Sequence, residues 1–227
     1  MPNPDRRAVP AAAPVARLIG VVEARARGAG RTDSGELILP RGSFHFITGG
    51  PGTGKSALLA ALALTRPPVR GRIEVFGQDP WALTEGERAA LRRRIGAALG
   101  EDGLIDRLGV FRNAALPLLL AGAPPERAAD VREMLAWLGL SELAETPAGA
   151  LDRARRRALA VARALVAQPE LIVIDDPFED LAPEVATKVL GLLTALGQGE
   201  AAVVMAGRDP ARAKKAGATV ITLGGAA

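Results

Sequence analysis

The sequence contains no cysteine, one histidine and only 3% aromatic residues. Without cysteine there is no disulfide framework and no thiol chemistry, which suits a cytoplasmic chain without requiring one. So few aromatics leave no base-stacking platform, and no nucleic-acid partner is expected. No apolar run approaches the roughly 18 residues that a membrane-spanning helix requires. The nearest, Leu116 to Ala123, is far too short, and no apolar segment of the kind a secretory leader carries is found near Met1. What is present is a 48% apolar composition over 227 residues, ample for one domain with a subdomain, and a net charge of +4 held in local clusters. That charge reads as a mildly basic surface.

The rest of the chain is organised around Gly49-Gly50-Pro51-Gly52-Thr53-Gly54-Lys55-Ser56. It fits G-x-x-x-x-G-K-[ST], the phosphate-binding loop, at every fixed position. Its context agrees: Phe44–Thr48 is a β-prone apolar run, and Ala57–Leu64 has high helix propensity. Glycines let the backbone curl until successive N–H groups face phosphate oxygens, and the helix N-terminus adds positive potential. In such a loop Lys55 reaches the β- and γ-phosphates and the Ser56 hydroxyl ligates Mg²⁺, so a nucleoside triphosphate is the expected ligand.

Around the loop the sequence alternates strands and helices. Residues 1 to 17, with Pro2, Pro4, Pro10 and Pro14, read as a disordered tail, and the domain runs from 18 to 227. Strands are expected over Leu18–Ala26, Phe44–Thr48, Arg72–Phe76, Leu171–Ile174, Ala201–Met205 and Val220–Leu223, with Glu36–Leu39 leading through Pro40-Arg41-Gly42 into the second of them. Helices are expected over Glu85–Arg94, Ala128–Leu138, Leu151–Val166 and Val185–Leu196. Between residues 96 and 157, apolar runs broken by Gly and Pro read as a helical subdomain. The fold class is therefore α/β, a P-loop NTPase with a mostly parallel central sheet, antiparallel strands near the N-terminus and a helical insert.

Leu171-Ile172-Val173-Ile174 is continuously apolar, as in a sheet covered on both faces, and it ends in Asp175-Asp176. A carboxylate at a strand end can hold Mg²⁺ beside Ser56, which assigns Asp175 to the metal. Asp176 is then placed to orient or deprotonate the attacking water.

This order of motifs resembles the ATP-binding subunits of ABC transporters, from about residue 18 to the C-terminus. The stretches that carry the resemblance are Phe44 to Ser56, Arg92-Arg93-Arg94-Ile95-Gly96, Val110 to Leu118, and Ala160-Val161-Ala162-Arg163-Ala164-Leu165 through Pro177. Within the family the chain looks most like the bacterial cell-division type, FtsE, whose partner is the membrane protein FtsX. Lipid-transport subunits of the Mla type are close rivals, toward which Asp176-Pro177-Phe178 leans. The resemblance implies ATP and Mg²⁺ as ligands, with Gly49 to Ala57 around the phosphates. It also implies a dimer, with itself or with a second ATPase, and a permease-like partner at the inner face of the plasma membrane. In the family a groove beside the helical insert receives that partner, and Leu104, Ile105, Leu108, Val110 and Phe111 are the apolar residues expected near it or packing the insert.

The chain departs from the family where catalysis is concerned. The glutamine that senses the γ-phosphate falls at Gly100, and the Leu-Ser-Gly-Gly signature reads Leu151-Asp152-Arg153-Ala154. The catalytic glutamate is Asp176, whose carboxylate retreats by about 1.5 Å, a misplacement able to cost on the order of a hundredfold. The dimer-bridging aspartate falls at Ala182 and the histidine of the following strand at Arg208, while Arg27 stands where an adenine-stacking aromatic belongs. The expectation is nucleotide binding with weakened or lost hydrolysis. A structural scaffold of the division machinery and a small-molecule kinase are the alternative functions.

Overall fold

The computed structural model describes residues 13–21, 36–100, 103–178 and 180–224. The chain enters the core earlier than expected: Val15 and Ala16 are each 1% exposed, so the tail boundary at 17 is corrected. Strand β1 (Ala16–Ile19) pairs antiparallel with β2 (Glu36–Leu39). It is shorter than the run to Ala26 predicted, and residues 22–26 lie outside the described residues, as do residues 1–12 and Arg27. The chain then leaves through β3 (Ser43–Thr48) and α1 (Lys55–Leu62), and returns as β4 (Arg72–Val75) on the other side of β1. A three-stranded antiparallel sheet, β2-β1-β4, results.

Helix α2 (Glu85–Arg92) is opened by a capping box between Thr84 and Glu87. It leads into β5 (Ile95–Leu99). Residues 96–99, read from the sequence as the start of the helical insert, are therefore an edge strand of the main sheet. The insert follows, with α3 (Val110–Leu120), α4 (Ala128–Trp137) and the start of α5 (Arg153–Leu165). The chain closes through β6 (Leu171–Asp175), α6 (Pro183–Gln198), β7 (Ala202–Ala206), α7 (Pro210–Lys215) and β8 (Thr219–Thr222). The main sheet has the order β5-β6-β7-β3-β8, and every pair in it is parallel.

Side-chain alternation divides the core between the two faces of this sheet. Phe44, Phe46, Ile172, Ile174, Val203 and Met205 pack with α5 and the insert. Ile47, Leu171, Val173 and Val204 pack with α1 and the antiparallel sheet. The insert is tied down by a polar group. Asn113, 0% exposed, accepts from the Ile105 amide at 2.8 Å and donates to the Ile105 and Leu108 carbonyls at 3.0 Å. These bonds hold residues 105–109 against the first turn of α3. Val110 is fully buried in the insert, so it belongs to packing; Ile105, by contrast, is 37% exposed.

The single histidine falls within β3, 4% exposed, and no hydrogen-bond partner reaches its Nδ1. Burial without a partner lowers its pKa from 6.5 to about 4. The folded protein therefore holds His45 neutral over a range in which the unfolded chain protonates it. Its contribution to stability is complete above pH 6.5 and is lost as the pH falls toward 4. The loss amounts to about 3 kcal/mol at full development. Denaturant titrations at pH 7.5 and 4.5 are expected to show this decline, and His45→Leu to flatten it. Glu170, which Arg94 and Arg41 hold down at about 2, begins to lose its contribution only around its ordinary value of 4.5, so most of its loss falls below the lower of the two pH values. A wild type equally stable at the two pH values contradicts the assignment.

Candidate functional site

The loop leaves β3 and enters α1 through Gly54, which caps the helix in the left-handed conformation (φ 90°) that favours glycine. No side chain caps this end, and the first amides of a helix have no partner within it. Thr53 closes the loop on itself, its hydroxyl donating to the Gly50 carbonyl at 2.9 Å. The Lys55 ammonium lies over the loop and donates to the carbonyls of Gly49 at 2.7 Å and Gly50 at 2.9 Å.

Parallel pairing brings the second element to the loop. With β3 beside β7 and β7 beside β6, the C-terminal ends of these strands open on one side of the sheet, where an open α/β sheet binds its ligands. Ser56 Oγ donates to Asp175 Oδ2 at 3.2 Å, so residues 119 positions apart meet as the motif spacing predicts. A hydroxyl and a carboxylate are oxygen donors of the kind that Mg²⁺ takes while retaining water and phosphate ligands, and they fit that ion. Lys55, Ser56, Asp175, Asp176, Gly49 and Pro51 all line one cleft of about 1280 Å³. Ala57 does not; with Gly52, Thr53 and Gly54 it borders a separate hollow of about 250 Å³.

Asp176 sits at φ 42°, strained for a non-glycine residue, and its amide is anchored to the Ala206 carbonyl at 2.9 Å. Its Oδ2 lies 3.8 Å from Nε of Arg208, the residue in the position where the family carries histidine. The carboxylate therefore faces a guanidinium rather than an imidazole. At the start of α5, the Asp152 carboxylate accepts from the Arg155 amide and pairs with its guanidinium, both at 2.8 Å. The helix end that an anion would use is thus capped by the chain's own negative charge. Arg153 meets Asp180 at 3.5 Å, joining the same helix end to the loop after β6.

Sequence reasoning missed three cationic residues of the cleft, Arg66 and, from α5, Arg157 and Arg163. Arg157 is 6% exposed. Arg163 donates to the Gly103 carbonyl, and burial lowers its pKa. The helical period held the signal: Arg157 shares a face with the buried Ala160, Val161 and Ala164, whereas Arg153 and Arg155 are exposed.

A phosphate loop at a strand–helix turn, an acidic strand end beside it and a helical insert define a nucleotide-binding cassette. The model of the ABC transporter family matches residues 33–179, and the chain belongs to that family, in its ATP-binding domain. Among curated relatives, the methionine import ATP-binding protein MetN of Symbiobacterium thermophilum is 35% identical over 158 residues, which are 69% of this chain and 48% of that protein. MetN 2 of Burkholderia mallei is 35% identical over 188 residues, 82% of this chain and 48% of that protein. The chain spans about half the length of these relatives. In structure it is similar to the ATP-binding cassette MJ0796, solved as a dimer in a post-hydrolysis state with ADP and Pi. The TM-score is 0.77 at 25% identity, covering 92% of this chain and 94% of that one. The reported relatives are importer ATPases, so the comparisons support the family-level resemblance and not its narrower FtsE or Mla assignment.

Proposed function

We propose that the chain is the ATP-binding subunit of a membrane complex, that it binds MgATP, and that it hydrolyses it weakly or not at all. The observation that carries this reading is the contrast within one cleft. The binding half is assembled, with Ser56 and Asp175 at 3.2 Å and Lys55 over the loop. The catalytic half is altered, with Asp176 beside Arg208 and Asp152 capping α5. Positioning and electrostatic stabilisation supply most of phosphoryl-transfer catalysis, and these are the contributions the substitutions remove. Bound Mg²⁺ would neutralise phosphate charge; Ser56 and Asp175 would hold it, and Lys55 would orient the triphosphate.

The partner in this reading is a permease-like membrane subunit, FtsX-like if the chain serves in cell division as the motif resemblance suggests. Among the described residues no helix is long and apolar enough to cross a membrane. A dimer, with itself or with an intact ATPase, agrees with the dimeric solved relative. The MetN relatives favour a second reading, in which the partner is an importer.

The test titrates purified protein with a fluorescent ATP analogue and Mg²⁺ while following phosphate release on the same samples. Binding without release is the expected result. Release that Asp176→Asn abolishes overturns the weakened-hydrolysis half of the proposal, and absence of binding overturns the whole.

A further inference from the structure

The phosphate cleft lies at the C-terminal ends of the main-sheet strands. Where β3 and β8 begin, a hollow of about 660 Å³ shares no lining residue with that cleft. Its walls come from the end of β2, the start of β3, the last turns of α6 and the turn between α7 and β8. Gly197 lets α6 settle onto β3 at this point; a Cβ there would lie 2.9 Å from Cβ of Phe44. Ile38, Pro40, Phe44 and Ala216 give the hollow apolar surface, and no lysine, arginine, aspartate or glutamate lines it among the described residues. The Ser43 and Thr194 hydroxyls already donate, to the Pro40 carbonyl at 2.6 Å and the Leu190 carbonyl at 2.8 Å, which leaves their oxygens to accept. His45 completes the wall, buried, held neutral, and with an Nδ1 that no hydrogen-bond partner reaches. A polar group withdrawn from water and left unpaired is costly, and native interiors hold few of them.

We propose that this hollow binds an uncharged small molecule with a hydroxyl on an apolar body, an aromatic alcohol in type, and that His45 hydrogen-bonds the hydroxyl. The volume falls in the range of small-molecule sites, roughly 300 to 1,000 Å³. A hydroxyl both donates and accepts, so it satisfies the imidazole in whichever tautomer the ring adopts. Its proton also suits the Ser43 and Thr194 oxygens, which have acceptor capacity only. The apolar body lies against Ile38, Pro40 and Phe44. A carboxylate or phosphate finds no cation on these walls and an ammonium finds no carboxylate, so a charged ligand gives up its hydration without compensation.

The chain has a single histidine, so selective isotope labelling of histidine in the full-length protein reports the ring nitrogens of His45 alone by NMR. The probe is 2-naphthol at pH 7.5, with 2-naphthoate as its charged counterpart. Saturable movement of the ring-nitrogen resonances by 2-naphthol is the expected result, with 2-naphthoate weaker by about tenfold or more. Two variants, each with a melting curve, are titrated through the fluorescence of the probe. His45→Phe keeps the ring and removes its nitrogens, and is expected to lose between about three- and tenfold in affinity, the worth of one hydrogen bond. Thr194→Phe keeps His45 but sets a ring inside the hollow, and is expected to abolish binding. Resonances that 2-naphthol leaves unmoved, or equal affinities for the two probes, overturn the proposal. So does a folded Thr194→Phe protein that binds as the wild type does, and a folded His45→Phe protein of unchanged affinity removes His45 from the site. If His45→Phe does not fold, Thr194→Phe and the naphthoate comparison carry the test.

Discussion

Lys55→Ala is expected to weaken MgATP binding by between about ten- and a hundredfold, the worth of one hydrogen bond to a charged group, with little change in melting temperature. The two readouts separate because of what Lys55 touches. Its ammonium rests on two loop carbonyls, Gly49 and Gly50. Each of these can turn to water when the side chain is removed, so the folded state loses little. The nucleotide has no such substitute. Without Lys55 the loop offers phosphate only backbone amides and the helix end, while Asp175 and Asp176 still present two carboxylates to the same cleft. Removing the cation leaves these carboxylates facing an anionic ligand, with Mg²⁺ and the arginines of the cleft wall to offset them. Equilibrium titration checks this, beside thermal melts of the same preparations. Unchanged affinity in a folded Lys55→Ala protein removes the loop from the binding site.

The parts of this site that were legible in the sequence are those whose spacing is fixed by covalent geometry. Eight consecutive residues build the loop, and one apolar strand ending in Asp175 builds its counterpart; their meeting follows from parallel pairing. Strand β5 was harder to read. Ile95-Gly96-Ala97-Ala98-Leu99 has a single β-branched residue and two alanines, so local propensity favours a helical insert over a strand. Its place in the sheet is decided by β6 beside it and α5 above it, which are distant in sequence. Helix α7 is only six residues long, announced by Asp209 and Pro210, too short for periodicity to register. The arginine run was legible as charge but not as geometry. Arg153, Arg155, Arg156 and Arg157 look alike as charges, and the helical period that sets Arg157 apart gains its meaning from packing against the sheet, which buries Arg157 and leaves Arg153 and Arg155 exposed. The polar anchor Asn113 was hidden for a similar reason, because the loop carbonyls it satisfies lie in a segment without regular structure.

Gly96→Ala is expected to cost about 3 kcal/mol or more, a large fraction of a domain's net stability. A Cβ at this position would collide with the Ala164 carbonyl oxygen of α5 and would lie 2.6 Å from Cγ of Pro169. Neither obstacle is the free end of a flexible side chain: one is helix backbone, the other a proline ring. Strand β5 and helix α5 therefore approach backbone to backbone, an approach that Ala160 and Ala164 allow from the helix side. To admit one methyl group, α5 must lift from the sheet, and with it go Arg157, Arg163 and the insert packed on its other side. The same substitution at Gly191 supplies the contrast. That residue lies within α6, and a Cβ built there meets nothing within 4 Å. Gly191→Ala should stabilise by roughly 0.5 to 1 kcal/mol through helix propensity alone. Urea unfolding of the two variants reads opposite shifts of the midpoint with an unchanged slope. A Gly96→Ala protein as stable as the wild type means that the seam between β5 and α5 is looser than described. The arginines of α5 then lose the rigid mounting that holds them in the cleft wall.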